Sequence, residues 1–157
     1  GSIYLHFSSK EEIALSHIDR LVERVKERLR SIAERDAPPE KRLHDMLIER
    51  VMIRFDNVQH YSKSLNEILG YLRPQLLERR KRYFGEEAKI LALVIAEAQA
   101  NGIFANGDSL DLAQTLIVAT NALLPYSLSA IELGDREEVT DRTHKTATLL
   151  IDGLRVR

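Results

Sequence analysis

Chain-breaking residues are scarce in this sequence, and their positions dictate how it can fold. Seven glycines and four prolines stand in 157 residues, about 7% against the roughly 12% of average usage. The stretches between them are rich in Leu and Ala and poor in aromatics (6%), which favours helix over sheet. Six helical segments and no convincing strand can be read. The first opens at Ser9, with Glu12 three residues on as a capping box. It carries Ile13, Leu21, Val25, Leu29 and Ile32 on one stripe and runs to about Asp36, ahead of Pro38-Pro39. The second starts at Pro39, which suits a first helical turn, and buries Leu43, Met46, Leu47, Val51 and Val58. The third spans about Ser62 to Leu72. The fourth runs from about Pro74 to Ala100, with Gly85 as a point of bending, and Asn101-Gly102 closes it.

Asp108 caps the fifth segment, about Ser109 to Leu133. Gly134 ends it, and Asp135 with Glu138 forms a capping box for the sixth. That last helix reaches about Leu154, with Val139, Thr143, Thr146, Leu150 and Leu154 on one side. The expected fold class is all-α, a multi-helix bundle. The apolar share of 44% is enough for a core. Lys and Arg number 23 against 24 Asp and Glu, so the chain is neither a polybasic arm nor an acidic tail. The absence of cysteine excludes disulfides, thiolate metal sites and Cys nucleophiles. No run approaches the roughly 18 apolar residues of a membrane span, and no signal peptide is apparent. A cytoplasmic protein without membrane contact is the expectation.

The fifth segment is unusual. Leu116 to Leu124 is apolar almost all round, and a helix touching a core on one side should show a polar face. Its second cover is either a partner subunit or the surrounding helices of a monomer. Pro125 cannot donate to the carbonyl of Asn121, so a kink is expected there. Asn121 itself needs a partner, whether ligand, interface or backbone.

The first ten residues read Gly1-Ser2-Ile3-Tyr4-Leu5-His6-Phe7-Ser8-Ser9-Lys10, followed by Glu11-Glu12-Ile13-Ala14-Leu15. This stretch resembles the end of the recognition helix in the TetR family of transcriptional regulators. The family motif runs Gly, Ser/Thr, Ile/Leu, Tyr, any residue, His/Tyr, Phe, two residues and Lys. Gly1, Ser2, Ile3, Tyr4, His6, Phe7 and Lys10 fit it. Both Gly1 and Ser2 fit, which favours native sequence over an expression remnant. Ala100-Asn101-Gly102-Ile103-Phe104, with Asp108 opening an apolar helix, resembles the family's junction between its seventh and eighth helices.

The resemblance implies three parts: residues 1–8 as the end of a helix-turn-helix reader, 9–36 as a linking helix, and 37–157 as a ligand-binding and dimerisation domain. The bracing helices of the reader are expected upstream, so operator DNA is a partner of the full-length protein only. Within residues 1–10, Tyr4, His6 and Lys10 suit phosphate contacts, and Ser2 suits a base edge. Ile3 and Phe7 suit inward anchors. The family's TetR-type C-terminal domain forms a homodimer through a four-helix bundle. Here that bundle is expected from about 109–133 and 136–154, with Leu112, Leu116, Leu123, Thr143, Thr146, Leu150 and Leu154 at the interface. The implied function is ligand-responsive regulation, as a repressor, in which an effector of unknown identity shifts the population away from a DNA-competent geometry. No catalysis and no cofactor are expected.

Candidate ligand contacts are Arg50, Phe55, Tyr83, Phe84, Asn121 and Tyr126, since small-molecule pockets are mostly apolar with few polar groups. An inward Arg50 would meet an anionic ligand, but an outward helix-face charge is the favoured reading. Histidines 6, 17, 44, 60 and 144 invite a metal reading, with Asp141-x-x-His144 and Asp56-x-x-x-His60 at helical spacing. The paired Glu-x-x-His motifs of a di-metal bundle are missing, so solvated or capping roles are favoured. Arg79-Arg80-Lys81-Arg82 is flanked by Glu78, Glu86 and Glu87 and reads as a solvated face. Two other readings stay open: a helical scaffold without DNA binding, and a helical-bundle enzyme.

Overall fold

The computed structural model describes residues 8–58, 63–125 and 133–157. Among them six α-helices have defined bounds: α1 Ser9–Ala33, α2 Pro39–Val58, α3 Lys63–Tyr71, α4 Arg73–Ala100, α5 Ser109–Thr120 and α6 Arg136–Leu154. A 3-10 turn, Asn121–Leu123, follows α5. The only extended pairing among the described residues is an isolated antiparallel bridge between Phe104 and Arg155. The all-α expectation holds.

Helix ends follow from local chemistry. The cap of α1 is Ser8, one residue earlier than expected. Its hydroxyl accepts from the Glu11 amide at 3.3 Å, and Glu11 and Glu12 lie in the first turn, where the helix dipole favours them. At the other end α1 stops at Ala33, short of Asp36. Arg42 explains the stop, because it donates to the Ala33 carbonyl (2.6 Å) and to the Ala37 carbonyl (2.8 Å) and also pairs with Glu97. Ile13, assigned to the core stripe, is exposed; Ala14, Leu15, Ile18 and Val22 are buried beside the expected Leu21, Val25, Leu29 and Ile32.

Helix α4 passes through Gly85 without interruption and ends in a Schellman motif. The Ile103 amide donates to the Ala98 carbonyl and the Gly102 amide to that of Gln99, with Gly102 at φ +74°. Phe104 then drops into the core. Its strand-like neighbours bond the chain end, Ala105 N–H to the Leu154 carbonyl and Val156 N–H to that of Ile103. Asp108 caps α5 as expected, accepting from Leu110 and Asp111.

The fifth helix is where expectation fails. It ends at Thr120 and not near Leu133. A kinked continuation was expected at Pro125, but the helix breaks. Leu124 sits at φ −86°, ψ 141°, the extended conformation that a following proline imposes on its predecessor.

Helix α6 begins with the expected capping box. Asp135 accepts from the Glu138 amide and Glu138 accepts from the Asp135 amide, both at 2.9 Å. Gly134 at φ +108° delivers the chain to this cap, and a Cβ there would lie 2.5 Å from Glu138 Oε2. Gly134→Ala therefore strains the backbone and dislodges half of the box. We expect a loss of about 1–2 kcal/mol, read as a lower denaturation midpoint at unchanged slope.

The main core joins all the long helices: Leu21, Val25, Leu29 and Ile32 of α1, Leu43, Met46 and Leu47 of α2, Leu91, Val94 and Ile95 of α4, Leu116 and Ile117 of α5, and Ala147 and Ile151 of α6. Helix α2 packs on α1, α4 and α6, and α5 packs chiefly on α4. A smaller cluster of Val51, Met52, Phe55, Leu124 and Val139 lies beside it. No described helix is long and apolar enough to cross a membrane.

Candidate functional site

The most unusual chemistry in the chain is a charged cluster inside this bundle. Arg50 and Arg54 are four apart on α2 and so share one face. That face turns inward, against α4 and α5. Arg50, Arg54, Glu87 and Thr120 are all completely shielded from solvent. Arg54 grips Glu87 with a two-pronged fork, Nη1 to Oε1 at 2.8 Å and Nη2 to Oε2 at 2.7 Å. Arg50 donates from Nε to Glu87 Oε1 at 3.3 Å and from Nη1 to the Thr120 hydroxyl at 2.6 Å. That hydroxyl lies 2.9 Å from the Leu116 carbonyl of its own helix, a partner for its proton. The Phe84 ring lies under three guanidinium groups, with Arg50, Arg80 and Arg54 at 5.1, 5.4 and 5.6 Å from its centroid. Such contacts gain strength when desolvated.

Among the described residues, two buried cations thus share the Glu87 carboxylate. The energetic trace of this arrangement is visible in the ionisations. Burial pulls the Arg50 guanidinium down to about 10, and the neighbouring Arg54 charge adds to this, against the pull of Glu87. For Glu87, burial favours the neutral acid, but the charges and hydrogen bonds of Arg54 and Arg50 prevail and hold its carboxyl below the usual range. Burying charge is costly unless it is paired, and here the pairing is incomplete. Arg50 Nη2 is buried with no hydrogen-bond partner among the described residues.

The expected ligand contacts divide. Arg50 lies inward, so the favoured outward reading is overturned: the apolar stripe of α2 is wide enough to take it into the interior with Met46, Leu47 and Val51. Phe84 stands beside it. Asn121 is half-buried and opens the 3-10 turn one residue beyond Thr120. Phe55 belongs to the adjoining apolar cluster. Tyr83 faces α1, where its hydroxyl donates to Asp19; burial, then Asp19, raises its ionisation point. Tyr126 lies outside the described residues. The sequence reading missed Arg54 and Glu87. The four-residue spacing of Arg50 and Arg54 within an apolar stripe was the available signal; nothing in sequence separated Glu87 from its neighbour Glu86.

Of the DNA-contact candidates, Ser2, Tyr4 and His6 lie outside the described residues, and Lys10 is exposed in the first turn of α1. The interface candidates mostly turn toward their own subunit. Leu116 is 2% exposed and Thr143 0%. Leu112, Leu150 and Leu154 pack against the main core and Leu123 against the smaller cluster. Thr146 is half-buried and donates to the Arg142 carbonyl at 2.8 Å. The outward apolar positions are different ones: Val118 on α5 is 70% exposed and Leu149 on α6 is 76% exposed.

The metal-spacing pairs are taken up otherwise. Asp56 binds Arg136 through both oxygens (2.8 and 3.1 Å), and Asp141 pairs with Lys145 at 2.8 Å. His44 and His144 stack across α2 and α6 with centroids 5.1 Å apart. His60 and His6 lie outside the described residues. No group of three or more potential ligands that could hold a metal occurs among the described residues. An open groove of about 510 Å³ runs along the outer face of α6, lined by Arg136, Glu137, Thr140, Asp141 and His144.

No protein-family model matches the sequence, and no curated protein sequence matches it. A search of solved structures does find a relative in shape. The crystal structure of a transcriptional regulator of the TetR/AcrR family from Thermobifida fusca superposes with a TM-score of 0.64 at 21% sequence identity. The match covers 96% of this chain and 77% of that one. The chain therefore has the all-α fold of that regulator.

Proposed function

We propose that this chain is the ligand-binding and dimerisation part of a ligand-responsive, DNA-binding transcriptional regulator of the TetR type, acting as a repressor. The observation that carries the proposal is the agreement of two independent signals. The described residues share the all-α fold of a TetR/AcrR regulator, and the first ten residues of the sequence, Gly1 to Lys10, fit the end of that family's recognition helix. In this reading α1 joins the DNA reader to the bundle, and α5 and α6 present the surface for a second copy. The buried cluster around Arg50 belongs to the effector site, which biases the dimer between two geometries. The near-neutral charge of the chain fits a domain that leaves DNA contact to the reader.

The test is DNA binding by the protein with its upstream coding region included, against the intergenic DNA flanking its gene. Affinity should fall steeply with salt, by about a thousandfold or more between 50 and 200 mM. Lys10→Ala should weaken binding to all sequences alike and lower the salt slope by about one per subunit. Absence of any specific DNA complex at low salt overturns the reading.

A further inference from the structure

Five asparagines stand in the chain, and two of them, Asn101 and Asn106, precede glycine. An asparagine carries an electrophilic amide carbon within reach of the next backbone nitrogen, and a glycine at that next position has no Cβ to obstruct the approach. The two steps are identical in sequence and differ in structure. Both asparagines are exposed, so access does not separate them; the pairing of the next amide does. Asn101 closes α4, and the Gly102 amide is engaged in the Schellman motif, donating to the Gln99 carbonyl at 3.1 Å while Ile103 donates to that of Ala98 at 2.9 Å. An amide held in this way reacts only after local opening. Asn106 and Gly107 lie in the turn ahead of α5. The Gln99 side chain donates to the carbonyls on either side, Ala105 at 3.2 Å and Gly107 at 3.1 Å, but the Gly107 amide between them has no acceptor among the described residues. The loop is anchored at both ends, by the Ala105 N–H on the Leu154 carbonyl (2.9 Å) and by the Asp108 cap of α5.

We propose that Asn106-Gly107 is a self-modification site, at which the folded chain converts Asn106 to aspartate and isoaspartate while Asn101 is spared. The Gly107 nitrogen gives up its proton to hydroxide or water and attacks Asn106 Cγ. The bond from Cγ to the side-chain nitrogen breaks, ammonia leaves, and a succinimide ring remains. Water then opens the ring. Cleavage at Cγ yields aspartate; cleavage at the Asn106 backbone carbonyl yields isoaspartate, with the chain running on through Cγ. One water is consumed and one ammonia released, with no redox change. Either product adds one negative charge, beside the Asp108 cap, to a chain of formal net charge −1. Isoaspartate also inserts a methylene into a loop pinned at both ends. The site is independent of the regulator reading.

Site-resolved peptide mass spectrometry of the 157-residue chain, incubated warm at mildly alkaline pH, tests it. Conversion at Asn106 should outrun that at Asn101 about tenfold or more, and isoaspartate should be among the products. In denaturant, where no amide is held, the two rates should converge. A Cβ at Gly107 would meet Leu112 Cδ1 at 3.6 Å and Gln99 Nε2 at 3.8 Å, both ordinary contacts. Gly107→Ala should therefore keep the native Tm while slowing conversion of Asn106 about tenfold or more. Asn106→Gln should abolish the acidic band that incubation produces on isoelectric focusing. Equal or faster conversion of Asn101 in the folded chain, or none at Asn106, overturns the assignment. Aspartate without isoaspartate, or an undiminished rate in Gly107→Ala, overturns attack by the Gly107 nitrogen. A gap between the two sites that persists in denaturant overturns the role of the fold.

Discussion

Glu87→Gln should destabilise the fold strongly, although it exchanges only a carboxylate oxygen for an amide nitrogen. It leaves Arg50 and Arg54 as two cations facing each other in the interior, with an amide that neutralises neither. Removing one partner of a buried ion pair costs about 3–5 kcal/mol. For a chain of this length each kcal/mol moves Tm by about 2–4 °C, so a fall of about 10 °C is expected. The pH dependence has a definite sign. Because the folded-state carboxyl is held below its ordinary value of 4.5, its stabilisation is complete above that pH. It is lost as pH falls through the lower folded-state value. Native protein should thus lose stability below about pH 4.5, whereas Glu87→Gln should lack this component. Denaturant melts at several pH values measure both. Equal midpoints for the two proteins at neutral pH would contradict the cluster's role in holding α2 to α4.

The second large effect concerns the proposed dimer. Leu149→Glu and Val118→Glu place charge on outward positions of α6 and α5. A two-fold interface meets each substitution twice, and each site loses about 1.5–3 kcal/mol of apolar burial. The dimer should weaken about a hundredfold or more while each subunit keeps its thermal stability, because these side chains leave their own core untouched. Leu116→Glu should behave in the opposite way and unfold the subunit, since that position is inside it. Sedimentation equilibrium with thermal melts separates the two outcomes. If Leu149→Glu and Val118→Glu remain dimers of native affinity, copies do not meet through α5 and α6.

Much of the fold could be read because its signals are local. Asp108 and Asp135 cap the helices they were expected to cap, Pro39 opens α2, and Gly102 closes α4. Each is decided within a few residues by backbone geometry. The break at Pro125 was harder to read. A proline after a long apolar run is consistent with a kink or a stop, and the choice depends on tertiary packing around Leu124. The expected interface positions show a related limit. An apolar helix has two apolar faces, and periodicity alone does not say which belongs to the subunit. Leu116 and Val118 differ by two positions and lie on opposite sides. Arg50 shows the same limit for a polar residue: its inward direction depends on Glu87, 37 positions along the chain, and on Thr120, 70 positions along. No local pattern carries that information.

One consequence follows from how α1 is held. Among the described residues its polar ties to the bundle run from His17 to its last residue: His17 to Asn57 at 3.3 Å, Asp19 to Arg79 at 3.1 Å, Arg24 to Asn57 at 2.9 Å, Lys26 to Glu86 at 2.7 Å, Arg28 to Glu49 at 3.7 Å and the Ala33 carbonyl to Arg42 at 2.6 Å. The end before His17 rests on a smaller apolar patch of Ala14, Leu15 and Leu72. Mechanically, α1 is a rod gripped along its later part, with an arm from His17 back to Ser8 of about 14 Å at 1.5 Å per residue. A tilt of about 10° about His17 would carry Ser8 through about 2 Å. Glu86, which ties α1, and Glu87, which holds Arg50 and Arg54, are adjacent on α4, so the grip on the rod and the buried cluster share one turn of helix.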